Sequence, residues 1–312
     1  MARKKSSFVR WHSHSEPTHS VDSLLNLTTS SPALSDDDYV VLEALLRYNF
    51  MTPSQAGRLW RWATRTSQHR FSGLYHKGLL SRGSVIDPDR PGRPHQVYAL
   101  TRMGFEVLRR NGHELANEWA DDWNPKHETG SQKLSVIHEL GRNDVCIAIL
   151  ETARALGLNV VDWEGPREGT QKFLADATNH EWQRIEPDSV ILLDRWQPLL
   201  IEYERSGRDT KFHKKVRAFR TYLLGKHWQN RYPREPWVVY AVPSGTGTQG
   251  LISGSYGGMV LQAGMAGARH YLFLDEEAWE RGTWLATLGD GTVTRLWEAV
   301  LGSEWSKNRA YR

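Results

Sequence analysis

The sequence predicts a mixed α and β protein (α+β or α/β) with two domains behind a short N-terminal tail. The chain has 312 residues, 39% of them hydrophobic and 24% charged, which is enough for two domains with hydrophobic cores. Apolar residues follow a helical spacing through much of residues 36–119, whereas short apolar runs typical of buried strands recur between residues 159 and 274. We therefore place a domain boundary just after residue 119.

The composition also indicates a compartment. Residues 1–35 are rich in Ser, Thr, His and Pro and lack hydrophobic periodicity, so we expect a flexible tail. No apolar run approaches the roughly 18 residues of a membrane span, and no hydrophobic segment follows the basic start, so we expect no signal peptide. The single cysteine, Cys146, excludes an intrachain disulfide and fits a reducing environment. We therefore expect a cytoplasmic protein that does not bind membranes.

Residues 36–119 predict a compact unit that begins with three helices. Asp36-Asp37-Asp38 precede the apolar positions of the first helix, where carboxylates stabilise the positive end of the helix dipole. Polar caps and a proline at the first helical position mark the next two helix starts. The expected caps are Thr52, ahead of Pro53, and then Thr66 or Ser67.

A β-hairpin and a further helix, at residues 101–110, complete this unit. Two short strands flank the Pro- and Gly-rich basic turn 87–94. Three helices followed by a hairpin form the winged variant of the helix-turn-helix, whose recognition helix, here about residues 66–77, enters the major groove of DNA. The side chains expected to face DNA lie on or beside that helix and on the hairpin turn: Arg65, Gln68, His69, Arg70, Lys77, Arg90 and Arg93.

Two basic segments favour double-stranded DNA as the partner. Residues 47–110 contain 12 Lys and Arg against 3 Asp and Glu, and residues 205–234 contain 10 against 1. Concentrated positive charge in an otherwise acidic chain is expected of a protein that binds a polyanion. Two alternatives stay open: the charges are only solvated faces, or the winged helix contacts protein.

A linker is predicted at residues 120–133, and a second domain at residues 134–312. A long helix is expected at 134–156, then three strands, a basic helix at 210–224 and a strand at 237–242. A last strand is expected at 271–274. This order implies a mixed sheet flanked by helices.

Carboxylates occupy unexpected positions on two of these strands. Asp188 opens one strand, and Glu202 and Glu204 close the next, on one face because residues two apart on a strand point the same way. If the two strands pair as a hairpin, Asp188 approaches both glutamates. Three converging carboxylates suit a hard divalent cation, so we expect them to bind Mg²⁺ or Mn²⁺. The alternative is a solvated ion network with neighbouring basic residues.

This order of elements, with these acids, is similar to the PD-(D/E)XK nuclease core. More specifically, residues 36–225 resemble the replication-relaxation family, which is found in plasmids, mobile elements and their hosts. The residues that carry the resemblance are Thr52–Leu80, Gly92-Arg93-Pro94, Val97–Thr101, His138, Asn143-Asp144, Pro187-Asp188, Glu202–Arg205, Lys215 and Tyr222.

The resemblance implies nuclease ancestry rather than nuclease activity. In a site that cuts DNA, Asp188 and Glu202 would be the metal ligands. Glu204 would bind the metal or orient the attacking water. The nuclease pattern has a lysine where this chain has Glu204, so a lysine from the following basic helix would substitute for it. The candidates are Lys215, which we assign to the catalytic set, and Lys211 and Lys214, which we assign to DNA contact.

The predicted function is that of a DNA-binding protein of a plasmid or mobile element, active in replication, mobilisation or defence. Its second domain would cut DNA in a metal-dependent way. The alternative is a winged-helix regulator or assembly factor whose nuclease fold is degenerate. Helix-turn-helix proteins often bind paired half-sites, which favours a homodimer; other mobile-element proteins are further expected partners.

Overall fold

The computed structural model describes residues 8–12, 34–86, 95–121, 123–125, 133–176, 178, 180–193, 197–204, 209–242, 270–288 and 292–301. Helices and a mixed sheet are both present, as expected for the fold class. The chain divides into two compact units, residues 1–143 and 144–312. This division lies inside a helix, Lys133–Ala155, rather than in the segment 120–133 that we expected to link the domains.

The first unit contains five helices among its described residues before residue 120. They are α1 (Asp36–Tyr48), α2 (Pro53–Trp60), α3 (Thr64–His76), α4 (Arg102–Arg110) and α5 (Glu114–Glu118). Ser35 caps α1 and Thr52 caps α2, each by accepting a bond from a backbone N–H in the first turn. The prediction for α3 is wrong, because the N-cap is Ala63 and the hydroxyl of buried Ser67 bonds back to its carbonyl.

A four-stranded antiparallel sheet completes the first unit. Its strands are β1 (Phe8–His12), β2 (Phe50–Met51), β3 (Leu80–Ile86) and β4 (His95–Leu100), in the order β1-β3-β4-β2. The predicted hairpin is present as the β3–β4 pair, while its turn, with Arg90 and Arg93, lies outside the described residues. The expectation of an unstructured tail through residue 35 is wrong for Phe8–His12, which pair with the otherwise open edge of β3.

The long helix α6 (Lys133–Ala155) begins within the first unit and is held there by buried polar contacts. Arg142 is fully buried and donates to the carbonyl oxygen of Tyr48 at 2.9 Å and to Asn143 Oδ1 at 2.8 Å. Asn143 in turn donates to the carbonyl oxygen of Phe50 at 2.7 Å. These bonds satisfy backbone groups at the α1–β2 connection, which is why two polar side chains are buried here.

The second unit is built on a seven-stranded mixed sheet with the order β13-β12-β11-β10-β9-β8-β5. β9 runs parallel to β10 and β10 to β11, whereas the β5–β8 and β8–β9 pairs are antiparallel. The strands are β5 (Val160–Glu164), β6 (Gln171–Asp176), β7 (Glu181–Ile185), β8 (Ser189–Leu193), β9 (Gln197–Tyr203), β10 (Trp237–Val242), β11 (Tyr271–Asp275), β12 (Leu285–Leu288) and β13 (Val293–Arg295).

Helices accompany this sheet, and β6 and β7 form a separate hairpin. The helices are α7 (Pro166–Gly169), α8 (Asp209–Leu224), α9 (Glu276–Glu280) and α10 (Leu296–Leu301), with a 3₁₀ turn at His227–Asn230. Val216, Phe219 and Leu223 of α8 are buried against side chains of β8, β9 and β10. None of the described helices is both long and apolar enough to cross a bilayer.

The expected order of α6, three sheet strands, α8 and β10 is present in the second unit. The β6–β7 hairpin and the β12–β13 pair were not predicted from the sequence. In β7 (Glu181–Ile185) four of the five residues are polar or exposed, so no apolar alternation marks the strand. Tertiary packing on α8 decides its structure instead.

Candidate functional site

Asp188 and Glu202 meet at one end of the β8–β9 pair. Ser189 lies opposite Ile201 in this antiparallel register, so the residue before Ser189 lies beside the residue after Ile201. Oδ2 of Asp188 accepts a hydrogen bond from the backbone N–H of Tyr203 at 2.8 Å, which fixes its carboxylate at this strand end. The pairing that the sequence analysis required for convergence is therefore present.

Lys215 of α8 joins these two carboxylates. Its Nζ is hydrogen-bonded to Glu202 Oε2 and lies 3.8 Å from Asp188 Oδ1. The next residue, Val216, packs into the core together with Phe219, and this packing fixes the rotation of the helix. Among the three lysines that the sequence offered, the structure brings Lys215 to the acids.

Solvent is largely excluded from Glu202, whose side chain is 3% exposed, whereas the side chain of Lys215 is 38% exposed. Burial raises the pKa of Glu202 well above its usual value, the negative charge of Asp188 adds to this, and Lys215 opposes it. Burial alone would lower the pKa of Lys215, but the charges of Glu202 and Asp188 outweigh it and raise this pKa. The lysine is therefore held as a cation.

One oxygen of Glu202 stands out. Oε1 is buried, and within the described part of the chain it has no hydrogen-bond partner. Buried carboxylate oxygens normally have a partner, and an exception in a native fold calls for an explanation. Tyr240, opposite Glu202 in the parallel β9–β10 register, has its pKa raised by burial and then by the charge of Glu202.

Glu204 follows β9 at the same end of the sheet. Its backbone N–H donates to the carbonyl oxygen of Ala241 at 2.9 Å, and its side chain is half-buried. Its charge contributes to the raised pKa values of Glu202 and Lys215, so it belongs to the same electrostatic cluster. Over the described residues, no group of three His, Cys, Asp or Glu side chains is arranged to hold a metal ion.

The residues expected to face DNA in the first unit fall into three groups. Arg65, Gln68 and His69 are exposed on α3, and Lys77, directly after α3, is half-buried. Arg90 and Arg93 lie outside the described residues. Arg70 forms the third group, because it is ion-paired with acids of α1.

Arg70 is engaged within the first unit. Its guanidinium is ion-paired with Asp37 and lies 3.4 Å from Asp38 Oδ1, at the start of α1, and it donates to Ser35 Oγ at 3.0 Å. It also lies 5.2 Å from the ring centre of Trp62. Arg70 therefore ties α3 to the positive end of α1 and is not freely presented to a ligand.

The second basic segment presents more cations than the sequence analysis named. Lys214 is exposed on α8, while the side chain of Lys211 lies outside the described part. The exposed cations not assigned from sequence are Arg217, Arg220, Lys226, Arg231 and Arg234, of which Arg231 is ion-paired with Glu164. Helical spacing already marks Arg217 as lying away from the Val216–Phe219 stripe, so for this residue the signal was present in the sequence.

Residues 42–236 match the sequence profile of the replication-relaxation family. This match covers more than half of the chain and includes the whole Asp188–Glu202–Lys215 cluster. The chain belongs to the replication-relaxation family. Neither the curated proteins nor the solved structures contain a significant match to it. The match begins within α1 and ends just before β10, so a replication-relaxation protein combines the helical first unit with the strands that carry the acids.

Proposed function

We propose that this replication-relaxation protein binds double-stranded DNA in the replication, mobilisation or defence of a plasmid or mobile element. We further propose that its second unit cuts DNA with the help of Mg²⁺ or Mn²⁺. The observation that carries the second proposal is Lys215, which joins Asp188 and Glu202 at one strand end. Two carboxylates and a lysine are the residue types that the PD-(D/E)XK pattern requires.

The topology around the cluster supports a nuclease-like core. The neighbouring strands β5-β8-β9-β10 follow two antiparallel steps and one parallel step, and α6 precedes and α8 interrupts them in the chain. The sequence resemblance implied this order of helix, three strands, helix and strand. Asp188 precedes the second of these strands, and Glu202 lies near the end of the third.

The residues of the cluster fit a small divalent cation in one respect. Asp188 and Glu202 supply carboxylate oxygens, and Glu202 Oε1 is a buried acceptor without a partner in the described part of the chain. Mg²⁺ is commonly bound by one or two carboxylates, with water and substrate phosphate completing its ligands. A third protein ligand is therefore not required. Glu204 lies two residues after Glu202 and belongs to the same electrostatic cluster, so it is the residue that would act as a third ligand or orient water.

Each residue then has a defined task. A bound cation would lower the pKa of a water molecule and draw charge from the scissile phosphate. Asp188 is held in place by the N–H of Tyr203, so its remaining oxygen is oriented before any ligand arrives. Lys215, charged and half exposed, is suited to stabilise negative charge that develops on the phosphate. In this arrangement Lys215 has the role of the lysine that the nuclease pattern places where this chain has Glu204.

The first unit supports the DNA-binding proposal. Helices α1–α3 followed by the β3–β4 hairpin have the order of a winged helix-turn-helix, and α3 is the expected recognition helix. Its exposed Arg65, Gln68 and His69 are the residues we propose to contact DNA. We assign Arg70 a structural role, because it is engaged with Asp37 and Asp38.

The test is a cleavage assay on supercoiled and linear DNA with Mg²⁺ or Mn²⁺. We expect Asp188→Asn, Glu202→Gln and Lys215→Met to lose cutting while binding of the same DNA in EDTA stays intact. Glu118→Gln, an exposed acid in α5, is the matched control and should cut normally. Cutting that survives all three substitutions would contradict the proposed site.

A non-catalytic regulator is the second candidate function, and one observation favours it. Lys215 already neutralises Glu202, and the described residues contain no set of three metal-binding side chains. Salt-sensitive DNA binding by the wild type with no cutting under any metal would support this reading. Isothermal titration calorimetry with Mn²⁺ further separates the two candidate functions, because a non-catalytic regulator should show no Mn²⁺ binding that depends on Glu202.

A further inference from the structure

We propose that the outer face of the β6–β7 hairpin binds single-stranded DNA, with Trp182 stacking on an unpaired base and Lys172 and Arg184 contacting phosphates. This face lies in the second unit, outside the carboxylate cluster and outside α3. The proposal rests on the proposed DNA binding but not on cutting. It adds a substrate class, DNA with an unpaired stretch, that the winged-helix assignment does not contain.

The hairpin is anchored firmly through its inner face. Phe173 and Ile185 are buried in the core beside α8, and the Phe173 ring lies 5.5 Å from that of Tyr222 in an edge-on arrangement. Gln171 accepts a hydrogen bond from the Tyr222 hydroxyl at 2.5 Å and donates to the Tyr232 hydroxyl at 2.9 Å. A two-stranded ribbon is marginal alone, so this anchoring is what fixes the position of the outer face.

The outer face follows from the strand register. Lys172 is paired with Arg184 and Leu174 with Trp182 across the two strands. Cross-strand partners lie on one face, and residues two apart share it, so these four side chains project together, opposite to Phe173 and Ile185. The outer face is thus defined as Lys172, Leu174, Trp182 and Arg184.

Trp182 is unusual among the tryptophans of the described chain. Its exposed fraction is 67%, the largest among the exposed large hydrophobic residues, whereas Trp163, Trp284 and Trp297 are each 5% exposed. An indole ring held on a rigid strand and left open to solvent can receive the flat face of a base. Every base has such a face, so stacking of this kind is tolerant of sequence.

The charges next to the ring fit a nucleic-acid backbone. Lys172 is exposed, and within the described residues no ion pair is recorded for it. Arg184 lies 2.7 Å from Glu186, but the two side chains are 62% and 51% exposed. Such a surface pair contributes little, so a phosphate can replace the carboxylate. Cations beside a stacking ring are the combination found in sites for single strands.

Duplex DNA does not suit this face. Bases in a duplex are already stacked on each other, and their flat faces are not available to an indole. The exposed cations of the helix beneath the hairpin, Lys214, Arg217 and Arg220, add positive charge to the same unit. A DNA strand that is unpaired at one place and continues as duplex would place its unpaired bases against the outer face and its duplex backbone against the cations of α8.

The experiment compares the intact protein with Trp182→Ala, Trp182→Phe and Lys172→Gln/Arg184→Gln, all in EDTA. Fluorescence anisotropy reports binding to a labelled 20-nucleotide single strand of mixed sequence and to the same sequence as a blunt duplex. We expect Trp182→Ala to weaken single-strand binding by at least about 5-fold, the lower end of what loss of base stacking causes. Trp182→Phe, which keeps an aromatic ring, should retain most of the affinity.

Duplex binding serves as the internal control and should be the same for all variants. Leu285→Ala removes another exposed hydrophobic side chain of the second unit, 44% exposed, and should leave both affinities unchanged. An equal loss of duplex and single-strand binding by Trp182→Ala would overturn the proposal. A change in oligomeric state on Trp182→Ala, measured by light scattering, would also overturn it, because it would identify the face as a protein interface.

Loss of duplex binding through Arg65→Gln, with single-strand binding kept, would separate the two surfaces. If instead the wild type binds neither form of DNA, the proposed function fails together with this inference. If it binds duplex but Trp182→Ala leaves single-strand affinity unchanged, only the inference fails.

Discussion

The two basic segments of this chain carry similar surpluses of positive charge but use them differently. In residues 47–110, Arg70 is paired with Asp37 and Asp38, and Arg109 lies 2.8 Å from Glu106. In residues 205–234, Lys215 is paired with Glu202 and Arg231 with Glu164, but five exposed cations form no ion pair with a described residue. These are Lys214, Arg217, Arg220, Lys226 and Arg234. A charge count along the sequence therefore does not measure the charge available to a ligand, since acids outside a segment can neutralise it.

The buried charges of the two units differ in sign. The first unit buries a cation, Arg142, against Glu139 at 2.5 Å, and this cation also donates to the backbone carbonyl oxygen of Tyr48. The second unit buries carboxylates, Glu202 beside Lys215 and Glu164 beside Arg231 at 2.7 Å. Because its bonds to Glu139 and Tyr48 lie inside the first unit, the buried Arg142 has a structural role. Buried acids at a strand end, one with an oxygen lacking a described partner, are better suited to a ligand.

The largest expected effect concerns Arg142. Replacing it by Met removes the bonds to Tyr48, Asn143 and Glu139 and leaves Glu139 without its cation. We expect a loss of about 3–5 kcal/mol in the free energy of unfolding, the range for breaking a buried ion pair. Urea denaturation followed by circular dichroism measures it. Arg110→Met, at an exposed position of α4, is the control and should change stability by less than about 0.5 kcal/mol.

The next effect is on DNA binding by the exposed cations of α8. Changing Lys214, Arg217 and Arg220 together to Gln should reduce the salt dependence of duplex affinity. Each lost phosphate contact makes the slope of log K against log salt less negative by about 0.9, so the expected change for the three substitutions is about 2.7. Fluorescence anisotropy between 50 and 200 mM salt gives the slope, with thermal unfolding as the check that the fold is unchanged. An unaltered slope would show that these charges do not meet DNA.

A smaller effect compares two arginines of the same helix. Arg65 is exposed, whereas Arg70 is tied to α1. Arg65→Gln should make the slope of log K against log salt less negative by about 0.9 and leave the free energy of unfolding unchanged. Arg70→Gln should lower stability by up to about 1 kcal/mol and leave the slope unchanged. The reverse result, a lower slope with normal stability for Arg70→Gln, would place Arg70 on the DNA.

Local signals explain what could be predicted from the sequence. The start of α1 followed from the acids Asp36-Asp37-Asp38 and that of α2 from Thr52, whose side chain bonds to a backbone N–H within the first turn. Both signals involve only neighbouring residues. The β3–β4 pairing followed from apolar strands around a Pro- and Gly-rich turn. The approach of Asp188 to Glu202 followed from the alternation of a strand and from one assumed hairpin.

Tertiary contacts explain what could not be predicted. The assignment of Lys215 rather than Lys211 or Lys214 to the catalytic set came from the resemblance. The residue pattern alone could not make it, because which lysine reaches the acids depends on the rotation of α8, which Val216 and Phe219 set by packing. The strand β7 carries no apolar alternation, so its place is decided by α8 beneath it. The pairing of Arg70 with Asp37 joins two helices that are adjacent only in the folded chain.

The smallest expected effect extends the comparison from charges to buried phenols. Tyr222, Tyr232, Tyr240 and Tyr271 of the second unit have raised pKa values, each caused first by burial. In the first unit, burial likewise raises the pKa of Tyr98. The stability that these groups contribute is fully present below the unfolded pKa of about 10 and is lost as the pH rises above it. The second unit, which contains four of these five tyrosines, should therefore lose more stability at alkaline pH.

The substitution that tests this is Tyr271→Phe. It removes one hydrogen bond, from the hydroxyl to the carbonyl oxygen of Val216 at 3.2 Å, at a cost of about 1 kcal/mol near neutral pH. It also removes one group that the unfolded chain would ionise, so the decline of stability above pH 10 should become shallower by up to about 1.4 kcal/mol per pH unit. Urea denaturation at pH 8 and pH 10.5 measures both. Parallel pH profiles for wild type and variant would mean that the Tyr271 phenol is not kept neutral by its burial, and the contrast between the two units would then rest on the ion pairs alone.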